Sequence, residues 1–175
     1  MKSFKRIGNF YIGRDPGQAL IPGSMFFNTH LRADTLDTAT GAILKTFDLG
    51  SGVVTTAGVN LLAQDWNAAA NNQLLKLANF HDSGTGVVAP VIGDTALGTP
   101  TGGARVSGVQ SNPASGQYRS VATISYGSSF AVTEWGLFTA SAGVTLWDRR
   151  TFTAIPGDTA TSIQFTYTLT INAGG

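Results

Sequence analysis

The sequence predicts a mainly β protein: an antiparallel β-sandwich, jelly-roll-like, with one helix and an extended N-terminal arm. Three observations point there. Ile163, Phe165, Tyr167, Leu169 and Ile171 alternate with Ser162, Gln164, Thr166, Thr168 and Thr170, a period of two that a strand with one buried face explains. From Leu74 onward about seven short strand-like runs succeed one another, with turn signals roughly every ten residues, the spacing of a sandwich. Only 12% of the 175 residues are charged, about half the usual share of roughly 25%. Low charge with abundant Gly and Thr recurs in all-β proteins that bury much of their surface against copies or partners.

The chain opens with Lys2, Lys5, Arg6 and Arg14, then turns at Asp15-Pro16-Gly17 and Ile21-Pro22-Gly23, where Pro presets one dihedral and Gly accepts the next. Its apolar residues come in short clusters, Phe10-Tyr11-Ile12, Leu20-Ile21 and Met25-Phe26-Phe27. Two arrangements fit: an arm that packs on another subunit, with Phe26 and Phe27 at the contact, or edge strands and loops of the same domain. Phe27 to Phe47 predicts a hairpin, with strands around Leu31–Ala33 and Ala42–Leu44 and a turn at Thr38–Gly41. Asp48 to Gly52 is the candidate boundary, dividing an arm with hairpin, 1–50, from a sandwich domain, 51–175.

Beyond it, Val59, Leu62, Ala63, Trp66, Ala69 and Ala70 recur at helical spacing, predicting an amphipathic helix near 56–71. Thr55 or Thr56 supplies the hydroxyl that caps its N-terminus. Leu74–Phe80 reads as a helical turn or a strand. His81 to Pro100 reads as a long loop with a short strand at Gly86–Ala89, and Arg105–Gln110 as another strand. After the turn cluster Ser111–Gly116 come strands at Tyr118–Tyr126, Phe130–Thr139 and Val144–Ile155, then the alternating one.

Net charge is +1 and there are no cysteines. No global field favours nucleic acid or a membrane surface, and disulfides, thiolate metal sites and cysteine nucleophiles are excluded. No stretch approaches the roughly 18 apolar residues of a membrane span. The basic start lacks the apolar run of a signal peptide, so the chain is expected to be made in the cytoplasm and stay soluble. His81-Asp82-Ser83 has the residue types of a hydrolase triad, but neighbours in sequence do not reach triad geometry; a turn is expected instead. Two distant histidines and scattered acids have no metal-ligand spacing, and no cofactor is implied.

The most informative polar set is Glu134 beside Trp135, with Arg149 and Arg150 on the next strand. It predicts a cross-strand Glu–Arg ion pair, structural or bridging subunits. Its functional alternative is a glycosidase carboxylate, for which Asp148 is the nearby partner acid. Trp66, Trp135 and Trp147 read as core or interface anchors, with a sugar-stacking platform as the alternative.

Several blocks resemble a family of tailed-bacteriophage structural proteins: FHDSGTG at 80–86, VIGDTALGTP at 91–100, YRSVATISY at 118–126, FAVTEWGLFTA at 130–140, LWDRRTF at 146–152 and IQFTYTLTI at 163–171, preceded by GSGVVTTAGVNLLAQD at 50–65. The resemblance covers about two-thirds of the chain; residues 1–47 have no part in it. It implies a virion component without enzymatic activity, similar to capsid decoration (cement) proteins, head fibres and tail-fibre or tail-tip proteins. The expected partners are other copies of the chain, as a homotrimer, and the major capsid or other virion proteins; a host surface glycan is the partner in the tail-fibre alternative.

Overall fold

The computed structural model describes residues 25–67, 77–143 and 145–173, and side chains from Phe27 onward except those of Trp66, Asn67 and Ala173. Along the chain the elements are β1 (Met25–Asp37), β2 (Ile43–Gly50), β3 (Val53–Val54), α1 (Thr56–Asn67), β4 (Phe80–Gly84), β5 (Val106–Ser107), β6 (Val109–Ser111), β7 (Gln117–Ile124), β8 (Phe130–Phe138), β9 (Leu146–Gly157) and β10 (Thr161–Ala173). They form two five-stranded sheets. Sheet one runs β2-β1-β10-β7-β6 and sheet two β3-β9-β8-β4-β5. Pairing is antiparallel throughout, and the fold is a β-sandwich.

The alternation of β10 sets the core. Ile163, Phe165, Tyr167 and Leu169 are buried and meet Leu31 and Ala33 of β1 and Ala122 and Ile124 of β7 on the same inner face. Val132, Trp135 and Leu137 of β8 and Trp147 and Ile155 of β9 close the core from sheet two. Trp135 stacks on Tyr167, with ring centroids 5.4 Å apart and planes inclined by 26°. Each such side chain taken fully from water contributes on the order of 2 kcal/mol. A second, smaller cluster of Leu97, Phe138 and Leu146 lies on the outer face of sheet two, where the segment between β4 and β5 covers it.

The hairpin expected near residues 27–47 forms, with longer strands than its apolar cores suggested. It belongs to the body: β1 lies between β2 and β10 and pairs with β10 over its full length, from Met25↔Ala173 to Asp37↔Thr161. Of the two arrangements, residues 25–50 adopt the one in which these strands join the same domain. Phe27 is half-buried against the core, and Phe26 pairs through its backbone with Asn172. The rest of the expected arm, residues 1–24, lies outside the described residues.

The Gly-rich signal at Gly50-Ser51-Gly52 marks a corner, where the chain passes from β2 in sheet one to β3 in sheet two. Gly108 does the same between β5 and β6, splitting the strand expected at Arg105–Gln110. Corners of this kind are how strands switch sheets in a sandwich.

Helix α1 begins as expected. Thr55 Oγ1 accepts the Gly58 N–H at 3.0 Å and donates to the Leu146 carbonyl, which docks the helix start on β9. The helix is described to Asn67; the remainder of its expected span, 68–71, lies outside the described residues.

One strand sits elsewhere than expected. Gly86–Ala89 is irregular, and the strand is β4, built from the stretch read as a turn. Its inward residues are His81 and Ser83, so no apolar alternation announces it.

Because Leu31 is 2% exposed and Leu44 of β2 is 59% exposed, the two positions separate a built-in strand from a loose arm. Leu31→Ala is expected to cost about 2–5 kcal/mol and Leu44→Ala no more than about 0.5 kcal/mol, read as urea-unfolding midpoints.

Candidate functional site

The pleat of β9 divides the polar residues singled out in the sequence. Asp148 stands opposite Leu137 and Arg150 opposite Trp135, while Arg149 stands opposite Gly136 and Thr151 opposite Glu134. Opposed residues share a face. Asp148 and Arg150 therefore enter the sandwich interior, and Glu134 and Arg149 lie on the outer face of sheet two.

On that outer face the expected Glu–Arg pair forms with Arg149, diagonally across the strands. Glu134 is fully buried. Arg149 Nε donates to Glu134 Oε1 at 2.7 Å, and its Nη2 meets the same oxygen. Nη1 reaches Asp94 at 2.7 Å and Nη2 the Val88 carbonyl at 3.1 Å. Glu134 also accepts the Gly98 and Thr99 N–H groups at 2.7 and 3.2 Å. One guanidinium thus binds two carboxylates and a carbonyl, and together they tie the segment between β4 and β5 down onto the sheet. The fit leaves no room at Gly86, where a Cβ would stand 2.5 Å from Glu134 Oε2.

Inside the sandwich the environment is different. Asp148 is fully buried, and among the described residues neither carboxylate oxygen has a partner in hydrogen-bond geometry. Burial pushes its carboxyl up to about 7; the Tyr167 and Thr29 hydroxyls and the Arg150 charge pull the other way and are outweighed. Tyr167 accepts the Trp147 indole N–H at 2.8 Å, which leaves its own O–H free to turn towards Asp148. Arg150 extends outward past Gly50 towards Asp48, which pairs with His30 at 2.9 Å. The corner of the chain closes over this group: a side chain at Gly52 would collide with Asp148 Oδ1. Gly52 thus makes room for a buried acid, while Gly50 takes a φ of 67° beside the Arg150 guanidinium.

His81 forms a third set. Its Nδ1 accepts the Trp135 indole N–H at 3.2 Å, so in the neutral ring Nε2 carries the proton and donates to Ser120 Oγ at 2.8 Å. Burial holds its pKa down at about 3. Ser83 pairs instead with the Tyr126 hydroxyl at 3.1 Å, and Asp82 points the other way, towards Arg105 at 3.5 Å. The three triad residue types are bound to three different partners.

No family model, curated protein or solved structure matches the chain.

Two functional alternatives drawn from the sequence fail on this geometry. Glu134 and Asp148 lie on opposite faces of one sheet, so they do not flank a common substrate as a glycosidase pair must. Trp135 and Trp147 are buried in the core and offer no face to a sugar; the Trp66 side chain lies outside the described residues. Among the described residues no group of three or more metal-ligating side chains converges. The sequence did not mark Asp148 as a buried, unpaired acid, since nothing in WDRR shows which way each residue points.

Glu134→Gln leaves Arg149 short of one full charge in a dry site, and breaking such a pair costs about 3–5 kcal/mol. Faster hydrogen exchange at the Gly98 and Thr99 amides is the local readout expected. A second prediction concerns pH. The folded Asp148 pKa of about 7 lies above the ordinary 3.8, so the folded state keeps a proton the unfolded chain releases; stability from this group falls as pH rises from 3.8 to 7. The folded His81 pKa of about 3 lies below 6.5, so stability falls as pH drops below 6.5. The slopes oppose each other between about pH 4 and 6.5, each at most about 1.4 kcal/mol per unit. Asp148→Asn is expected to make stability rise with pH across that window, and His81→Gln to make it fall, in denaturant titrations from about pH 4 to 8.

Proposed function

We propose that the protein is a non-enzymatic structural component of a bacteriophage virion, a capsid decoration protein that stabilises the head through contacts with its own copies, as a homotrimer, and with neighbouring shell proteins. The observation that carries this is the distribution of apolar surface. Ile43 and Leu44 on edge strand β2, Val87, Val88, Val91 and Ile92 on the outer face of sheet two, and Val109 on edge strand β6 are each more than half exposed. They lie in three separate places, of which only Val87–Ile92 brings several together, and exposed apolar groups gathered in one place are characteristic of protein contacts. The buried polar groups support the same reading. Glu134, Arg149, His81 and Ser83, with half-buried Asp94, are all engaged in internal bonds, which suits a scaffold. The resemblance of the sequence blocks to tailed-phage structural proteins points in the same direction. Burial of apolar area across seams would stabilise an assembly by mass action. Burial of Trp135 and Trp147 removes two of the three tryptophans from the stacking platform of the tail-fibre alternative, whose partner is a glycan.

Association through apolar surface is expected to survive high salt, because at 1 M the Debye length is only about 3 Å and ion pairs at an interface are screened. Mass photometry and light scattering of the purified protein are expected to give a trimer in both about 0.1 M and about 1 M NaCl. A monomer at all concentrations overturns the proposal.

A further inference from the structure

The run Val87-Val88-Ala89-Pro90-Val91-Ile92 is apolar throughout, and four of its side chains are 55–77% exposed. It is also held from beneath at every other residue or so. The Gly86 carbonyl accepts the Thr133 hydroxyl at 3.0 Å, and the Val88 carbonyl accepts Arg149. The Val91 N–H donates to Asp94 at 2.9 Å, and the Ile92 carbonyl accepts the Thr56 N–H at 2.8 Å. Arg149, anchored on buried Glu134, and half-buried Asp94 therefore act as a foundation: they hold the backbone of the run at Val88 and Val91 and leave the valines and isoleucine exposed to water. An apolar surface fixed in this way is preorganised to receive a partner.

The chain itself contains a segment with matching chemistry. Residues 1–24 carry Phe4, Ile7, Phe10, Tyr11, Ile12, Leu20 and Ile21. Four of the eleven basic residues but only one of the ten acidic residues lie there, so the segment is cationic and the remainder is net acidic. Fully extended, 24 residues span about 80 Å, roughly twice the width of a body of this size. Met25 leaves from sheet one, whereas the run lies on the outer face of sheet two. A chain reaching its own run has to pass around the edge of the sandwich, and in the self-association put forward above a neighbouring copy is the other source of this segment.

We propose that the Val87–Ile92 run is the docking surface for residues 1–24 of a neighbouring copy, each subunit giving its segment to the next. This rests on the self-association put forward under the proposed function and names the acceptor.

Since the 175-residue chain has no cysteine, disulfide trapping is a clean test. Ile12→Cys and Val88→Cys are made as separate variants of this chain, mixed and oxidised. Thr153→Cys, an exposed position on β9, replaces Val88→Cys as the control. The Ile12–Val88 mixture is expected to cross-link at least about tenfold faster than the Ile12–Thr153 mixture, because docking raises the effective concentration of the two thiols. Equal rates overturn the proposal. So does linkage confined to single chains of a doubly substituted variant, which means the segment docks on its own body, or a faster Val88–Val88 link, which means the runs meet each other. Light scattering of the unsubstituted protein separates the two levels: a monomer defeats self-association itself, while an intact trimer with equal rates defeats only this acceptor.

Discussion

Tyr167 stands where the two sheets meet, and the packing around it constrains the rest of the sandwich. Its ring stacks on Trp135 of β8 and its hydroxyl receives the Trp147 indole of β9, so the middle strand of one sheet is keyed to two strands of the other. Interiors are close-packed, and a stack of this size leaves few alternative registers. With β10 placed, β1 is aligned along its thirteen-residue ladder and β7 along the opposite edge. The Trp–Tyr key also brings Asp148 and Arg150 indoors, since β9 turns their side of its pleat towards the opposing sheet.

That consequence gives the sandwich two polar systems of different character. Outside sheet two, the Glu134–Arg149–Asp94 cluster is saturated, and it holds a long irregular segment against the sheet. Inside, Asp148 has the Tyr167 and Thr29 hydroxyls and the Arg150 charge beside it, but its charge is resisted by burial. The first system makes a surface; the second makes stability depend on pH. Neither has the arrangement of a reacting centre, in which a nucleophile or acid faces open space with its base or partner acid alongside. The outer cluster holds the backbone of the segment between β4 and β5 in place, and the exposed apolar run lies on that segment.

The sequence on its own determined the elements whose signal is local. Period-two alternation in β10, the presence of strands at β7, β8 and β9, the Thr55 cap and the hairpin turn are written in neighbouring residues, because pleat, capping and turn geometry depend on neighbours alone. The existence of a Glu134–Arg pair was legible for the same reason. Tertiary structure decided the rest. It decided that Arg149 and not Arg150 is the partner, because the bulges in β9 and its register with β8 settle which residues share a face. It made a strand of Phe80–Gly84, whose inward His81 and Ser83 are tolerated only where Trp135, Ser120 and Tyr126 satisfy them. It placed Gly50-Ser51-Gly52 at the corner between the sheets, with Gly52 against Asp148 and Gly50 against Arg150. In each case the deciding contact joins residues far apart in the chain, and their meeting is fixed by the sheets as a whole.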